Sequence, residues 1–360
     1  MSIHFHKLTI KEVSKETNDC VSVLFDIPED LKNAFRFKQG QSLTMRSTIN
    51  GEEVRRTYSI CSTPFENKWR VAIKKVEGGL FSSFANDRLK KGDTLEVMPP
   101  VGKFYVELDP ANKKNYLAIA AGSGITPVLS IIKTTLQTEP ASSFTLVYGN
   151  RSRSSIIFFE ELEALKNIYL QRFNFISILS RERTDALIHF GRINKEKLNE
   201  LSRLIDYSLI DETFLCGPEE MIFAAKNFLE AKGINKKKIH FELFTTSPGT
   251  KPVTGNQQPV TKDTGPKSLI TVKLDGRSFD FDLSLTSETT LLDAALKQGA
   301  DLPYACKGGM CCTCKAKLVE GEVAMDVHWG LEEEEVEQGY ILTCQSHPKT
   351  EKVVVDFDIK

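Results

Sequence analysis

Four cysteines near the end of the chain constrain its fold more than any other feature. Cys306, Cys311 and Cys314 stand in the pattern C-x₄-C-x₂-C, and Cys344 follows after 29 intervening residues. A chain that uses all four thiolates on one centre must bring a tight loop and a distant segment to the same point. The spacing is that of a [2Fe–2S] cluster. Gly308 and Gly309 let the loop backbone approach such a centre without a β-carbon in the way. Cys312 is left over and reads as a non-ligand. The alternative is a four-cysteine zinc site, which ordinarily takes two short knuckles, and only one side here is knuckle-like. A disulfide framework asks for an oxidising compartment. Cys20, Cys61, Cys216 and Cys312, scattered outside the pattern, suit a reducing one.

At 360 residues, 41% hydrophobic and 26% charged, the chain has material for two or three ordinary cores. No apolar run reaches the length of a membrane span, so no membrane association is expected. The first residues, Met1 to Lys7, lack the apolar stretch of a secretion signal, which makes the cytoplasm the expected location. Net charge is −1 but uneven: Lys267–Lys360 holds 10 basic and 17 acidic residues, a net of −7. Such a tail is steered toward basic surfaces. The run Glu332–Glu335 alone reads as the solvated start of a helix. No basic patch interleaved with aromatics points to nucleic acid.

Thr245–Lys267 is dense in Pro, Gly, Thr and Lys with almost no large apolar residue, so it reads as a flexible tether. The chain then divides into 1–110, 111–245, a linker over 246–267, and 268–360. In the first part six alternating runs (7–13, 21–26, 41–47, 54–61, 69–76, 94–99) predict an antiparallel barrel. In the second, apolar strands (116–121, 144–148, 173–179, 213–216, 239–242) alternate with helical stretches (127–136, 158–166, 195–201, 219–232), the pattern of a doubly wound α/β sheet. In the third, Asp275-Gly276 between two alternating runs predicts a hairpin. A short helix over 290–298 and strands over 314–319 and 352–357 complete a small α+β domain.

Three stretches carry candidate chemistry. Arg56-Thr57-Tyr58-Ser59 offers a guanidinium for a pyrophosphate, an aromatic face for a planar ring and a hydroxyl beside it. Gly78-Gly79-Leu80-Phe81-Ser82-Ser83 precedes a helix expected over 84–89, with Gly79 and Ser82 placed for an anion at its start or for simple capping. Gly122-Ser123-Gly124-Ile125-Thr126-Pro127 follows a strand and opens a helix with Pro127 expected as its first residue. Its G-x-G-x-x-P departs from the dinucleotide fingerprint G-x-G-x-x-G, yet the strand–turn–helix setting suits a pyrophosphate. Cys216-Gly217-Pro218 ends another strand, and by itself Cys216 is equally an inert buried thiol.

In this order and spacing these segments resemble the ferredoxin–NADP reductase family, and the tail resembles a plant-type ferredoxin with a β-grasp fold. The resemblance implies FAD, with FMN as the alternative some relatives use. Arg56, Thr57, Tyr58 and Ser59 would hold the flavin, Tyr58 on its ring and Ser59 near its reactive nitrogen, with Gly79 and Ser82 at the pyrophosphate. Gly122, Gly124, Thr126 and Pro127 would receive the nicotinamide dinucleotide. Cys216 and Gly217, followed by Pro218, would line the nicotinamide, with Ser59 and Cys216 nearest the chemistry. Arg151, Ser180 and Arg181 resemble a 2′-phosphate site, which favours NADPH over NADH. The domain order resembles the reductase components of multicomponent oxygenases. It implies electron transfer from NAD(P)H through FAD and the cluster to a partner di-iron oxygenase. A reductase for another hydroxylase, or a donor to a non-oxygenase acceptor, would carry the same motifs.

Overall fold

The computed structural model describes residues 4–244 and 265–359. The chain divides into two compact units, Phe5–Thr245 and Thr246–Lys360. The tether expected over 246–267 falls outside the described residues except at its end, where Lys267 already pairs in a strand with Ser284.

The first unit opens with six antiparallel strands: β1 His6–Thr17, β2 Cys20–Asp26, β3 Ser42–Ile49, β4 Glu52–Ser59, β5 Trp69–Lys74 and β6 Thr94–Val97. Their order is β4-β3-β6-β1-β2-β5. A bridge between Ile60 and Val71 joins the end of β4 to β5 and closes the barrel. Alternation puts Leu8, Ile10, Val23, Phe25, Leu43, Met45, Val71 and Ile73 inside. Helix α1, Leu80–Asp87, seals the interior with Phe81 and Ala85. It starts four residues earlier than the 84–89 expected. Phe81 already belongs to the buried face while Leu80 stays exposed, and Gly79, not a serine, is the N-cap.

A connector without regular structure, Gly102 to Lys114, leads into five parallel strands. These are β7 Asn115–Ala121, β8 Ser143–Asn150, β9 Phe173–Leu179, β10 Glu212–Gly217 and β11 Ile239–Leu243. Helices α2 Ile125–Thr138, α3 Phe159–Ile168, α4 Lys195–Leu201 and α5 Glu219–Ala231 make the crossovers, and the order is β11-β10-β7-β8-β9. Buried Glu139 ties the connector down. It accepts from Asp109 N at 3.2 Å, Asn112 Nδ2 at 2.8 Å, Tyr116 Oη at 2.9 Å and Ser142 Oγ at 2.7 Å. One apolar cluster runs from Cys20, Cys61 and Ala72 of the barrel to Ile125, Leu129 and Ile132 of α2. The barrel and the sheet thus share a core, and the boundary expected at 110 is a seam, not a gap.

The second unit is a mixed sheet. It contains β12 Lys267–Leu274, β13 Arg277–Ser284, β14 Lys315–Glu320, β16 Tyr340–Leu342 and β18 Lys352–Asp356, in the order β13-β12-β18-β14-β16. A short ribbon of β15 Val323–Met325 and β17 Ser346–Pro348 stands beside it. Strands β12 and β18 are parallel, and helix α6, Leu291–Lys297, packs Leu291, Leu292 and Ala295 into the core, as in a β-grasp domain. Asp275 and Gly276 have φ of 52° and 69°, the tight two-residue turn that the hairpin signal predicts. Thr290 caps α6 by accepting from Asp293 N at 3.2 Å. The acidic run is only partly solvated. Glu332 caps α7, Glu333–Glu337, while Glu335 is buried and pairs with Lys315 at 3.1 Å.

Candidate functional site

In the first unit the candidate residues gather at the carboxyl ends of β7 and β10, where the strand order reverses and open sheets ordinarily bind ligands. After β7, Gly122–Gly124 form a single 3₁₀ turn leading into α2. Tyr148 Oη donates to Gly122 O at 2.8 Å and fixes the turn. A β-carbon on Gly124 would lie 2.1 Å from Cys216 O, so only glycine lets the turn meet the end of β10. Thr126 Oγ1 donates back to Ser123 O at 3.0 Å and stiffens the turn from inside. Pro127 is the third residue of α2, not the first as expected. The missing amide costs nothing there either, because the first four helical N–H groups lack intrahelical partners.

Cys216 sits beside Glu242 in register on β11, and Gly217 and Pro218 lead directly into α5. Cys216 is fully buried, and burial followed by the nearby Glu242 pushes its thiol well above the usual range. It is a neutral thiol, not a nucleophile. Ser59, at the end of β4, donates from Oγ to Glu242 Oε2 at 3.2 Å. Barrel and sheet therefore meet at Ser59, with Cys216 behind. Burial pushes the Glu242 carboxyl up to about 7, against the hydrogen bond from Ser59. No sequence motif singles out Glu242, because a Glu at a strand end signals nothing until its neighbours are known.

The remaining flavin candidates line one side of this junction. Arg56 is exposed, Thr57 and Tyr58 are half-buried, and Ser59 is buried. Tyr58 packs on Phe81 of α1 with ring centroids 5.7 Å apart. Thr57 Oγ1 is 3.1 Å from Thr44 Oγ1. No side chain caps α1 at Gly79, which leaves its first amides without a side-chain partner. A β-carbon on Gly79 would meet Ser82 Oγ at 2.5 Å. Ser82 itself turns inward, accepting from Val76 N at 3.1 Å and bonding Gly79 O at 3.4 Å. Its hydroxyl thus ties the loop before α1 to the first turn of the helix. Lys74, which belongs to none of the motifs, ends β5 with Nζ 3.9 Å from where a Gly122 β-carbon would lie.

At the far edge, Arg181 N donates to Arg151 O at 2.8 Å and Ser180 N to Asn150 O at 2.9 Å. The ends of β8 and β9 are thus stitched together with both arginines exposed. Glu182 accepts from Arg153 N at 2.9 Å, a structural task.

In the second unit Cys306 is exposed, Cys311 half-buried, and Cys314 and Cys344 buried. The sulfurs meet as two hydrogen-bonded pairs, Cys306 with Cys311 and Cys314 with Cys344. Hydrogen bonds from Cys311 and from the backbone of Gly308, Met310 and Cys311 hold the Cys306 thiol below its usual range. Gly308 N lies 3.3 Å from its sulfur. Lys307, Gly309 and Cys312 take left-handed backbone, and Val327 Cγ2 would block a β-carbon on Gly309 at 2.7 Å. Cys312 points elsewhere, its Sγ 2.5 Å from Gly330 O. Gln345 Nε2 bonds both Lys307 O and Cys344 O at 2.9 Å, fastening the loop to the distant cysteine. Among the described residues no three ligand-type side chains surround a single ion. Two thiol pairs fit two irons, and backbone donors aimed at sulfur fit thiolates.

Comparison with known proteins identifies each part. Residues 7–105 match the oxidoreductase FAD-binding domain, 118–227 the oxidoreductase NAD-binding domain, and 273–349 the 2Fe-2S iron-sulfur cluster binding domain. The chain is thus an NAD(P)H-dependent flavin and iron–sulfur oxidoreductase, and it belongs to the family of oxygenase reductase components. Among its relatives is a 1,2-phenylacetyl-CoA epoxidase subunit of Escherichia coli (strain K12). It is 48% identical over 99% of this chain and 98% of that protein. The 3-ketosteroid-9-alpha-monooxygenase ferredoxin reductase component of Rhodococcus rhodochrous is 34% identical over 97% of this chain and 96% of its own. The solved structure of phthalate dioxygenase reductase has the same fold, with a TM-score of 0.58, 23% identity and 98% of both chains covered.

The burial of Glu242 makes stability depend on pH. Between its ordinary value of 4.5 and about 7 the folded protein keeps a proton that the unfolded chain has released. Stability contributed at this position therefore falls as pH rises through that window. The urea midpoint of the wild type relative to Glu242→Gln, followed by flavin release, should be lower at pH 8 than at pH 5. A difference that does not change with pH would contradict the assignment.

Proposed function

We propose that this chain is the electron-donating subunit of a phenylacetyl-CoA epoxidase, feeding a di-iron oxygenase component that performs the ring epoxidation. The observation that carries this reading is the 48% identity to the Escherichia coli protein over nearly the full length of both chains, against 34% for the ketosteroid relative. The aromatic substrate stays with the partner, and this chain handles only electrons. NAD(P)H delivers electrons as a hydride pair, a [2Fe–2S] cluster takes them singly, and FAD supplies the conversion between the two. Cytoplasmic location belongs to the same proposal, supported by eight free cysteines.

The geometry supports a role for each candidate residue. Arg56 and the uncapped start of α1 bind the flavin pyrophosphate, and Tyr58 covers the ring while Ser59 bonds its edge. The Gly122–Gly124 turn at the head of α2 takes the dinucleotide pyrophosphate. Cys216 and Gly217 form the floor beneath the nicotinamide and exclude water. Cys306 and Cys311 hold one iron, and Cys314 and Cys344 the other. The boundaries 1–110, 111–245 and 268–360 delimit the flavin, nicotinamide and cluster domains.

NADPH is the proposed donor. Arg151 and Arg181 stand exposed on stitched strand ends with Ser180 beside Arg181, a cationic set suited to a 2′-phosphate. Arg181→Ala should raise KM for NADPH about 10- to 150-fold and leave KM for NADH nearly unchanged. A charge-assisted contact to phosphate is worth roughly 1.5–3 kcal/mol. Equal effects on both cofactors would remove Arg181 from the site.

Ending the chain at Pro248 tests the electron route. The fragment should keep FAD and reduce ferricyanide with NAD(P)H, yet fail to support a phenylacetyl-CoA epoxidase lacking its own reductase. The full chain should restore that turnover. Full epoxidation with the fragment would show that the cluster domain is not the exit.

A further inference from the structure

Behind the Ser59–Glu242 junction lies a second contact between barrel and sheet that no motif announces. Lys133 of α2 is 11% exposed at its side chain, and its Nζ bonds Glu66 and, at 2.7 Å, Glu161. Arg70 of β5 bonds the other oxygen of Glu161 at 2.6 Å. Glu66 and Arg70 belong to the barrel, and Lys133 and Glu161 to the sheet domain's helices. The network opens onto a groove that also holds Glu12, Glu16 and Lys68, so its two inner cations sit among four carboxylates. Burial opposes the charge on Lys133, yet Glu161 and Glu66 hold its pKa above the ordinary value. Burial likewise opposes the charge on Glu161, yet Arg70 and Lys133 hold its pKa below the ordinary value. The ions stay paired in the folded state.

The chain around this network connects it to the chemistry. Gly124 of the proposed nicotinamide turn is the N-cap of α2, and Lys133 lies nine residues beyond it, about 13 Å down the axis. Ser130, one turn earlier on the same face, donates to Ser62 O at 2.6 Å. Ser62 is three residues beyond Ser59 on the segment leaving the flavin strand, and Cys61 N bonds Arg70 O at 2.8 Å. Helix and segment are two struts, each running from the site to the ion cluster. We propose that Lys133 is a positioning residue for hydride transfer. With Glu66, Glu161 and Arg70 it pins the far ends of these struts together and sets how closely the nicotinamide turn stands to the flavin strand. The proposal rests on the assignment of Gly122–Thr126 to the dinucleotide and Arg56–Ser59 to the flavin. Removing Lys133 leaves Glu66 without its cation and Glu161 with Arg70 alone, both half-buried, so the seam shifts as they draw in water. A shift near 1 Å at the reacting atoms can cost about 100-fold in rate.

The test uses the full chain with FAD bound, mixed anaerobically with saturating NADPH while flavin bleaching is followed. Lys133→Met should retain FAD and bind NADP⁺, measured by titration without turnover, within about threefold of wild type. Its bleaching rate should fall about 10- to 100-fold. Lys133→Arg should keep the rate within about threefold, since it preserves the charge. Glu66→Gln leaves the Lys133–Glu161 pair in place and should slow bleaching about three- to tenfold; it decides the matter if Lys133→Met fails to fold. Wild-type rates in Lys133→Met or in Glu66→Gln would overturn the proposal, as would Lys133→Arg being as slow as Lys133→Met. Failure of NADPH to bleach the wild-type flavin would instead strike the functional reading itself.

Discussion

The site depends on one close approach between backbones. Gly124 lies against the carbonyl of Cys216, where any side chain would begin 2.1 Å from that oxygen. This contact brings the head of α2 to the end of β10. Beside it, Glu242 of β11 accepts from Ser59 at the end of the barrel strand β4. The barrel contributes the hydroxyl, β11 the carboxyl and β10 the buried thiol. None of the three is activated as a nucleophile or paired as a catalytic dyad. A protein that only has to hold two redox rings together needs shape, dryness and a steady seam, and those are what these residues supply.

The second unit answers a different demand. Four thiols must be held as two pairs, with their backbone donors already in place, and the loop accepts left-handed backbone at Lys307, Gly309 and Cys312 to do so. Gln345 then fastens this loop to the strand turn carrying Cys344. Each unit has its own core, so the flavin–nicotinamide unit and the cluster domain are separately complete. The flavin and nicotinamide modules are not, because they share an apolar cluster across α2. Hydride transfer requires direct contact of rings, whereas electron transfer does not, and the division of cores follows that difference.

Much of this was legible in the sequence because it is local. Strand alternation, the Asp275-Gly276 turn, the Gly-rich turn after β7 and the cysteine spacing each speak through a few consecutive residues, and the structure places elements where those signals fall. Illegible parts arise from register and packing. Glu242 matters because β11 pairs with β10 so that it stands beside Cys216. Ser82 reads equally as an anion residue or a cap, and only the fold shows its hydroxyl accepting from Val76 N. Helix α1 starts before its serines because Phe81 begins the buried face that Ala85 continues. Lys133 looks like any helix lysine until Glu66, 67 positions earlier, folds over it.

An anaerobic titration of the purified chain with NADPH, followed by absorption and electron paramagnetic resonance, tests the electron path most directly. FAD takes two electrons and the cluster one, so full reduction should consume about 1.5 equivalents of NADPH per chain. The resonance of a reduced [2Fe–2S] centre should grow in as the flavin bleaches. Complete bleaching at about one equivalent with a cluster that stays oxidised would contradict the proposed path from nicotinamide through flavin to iron.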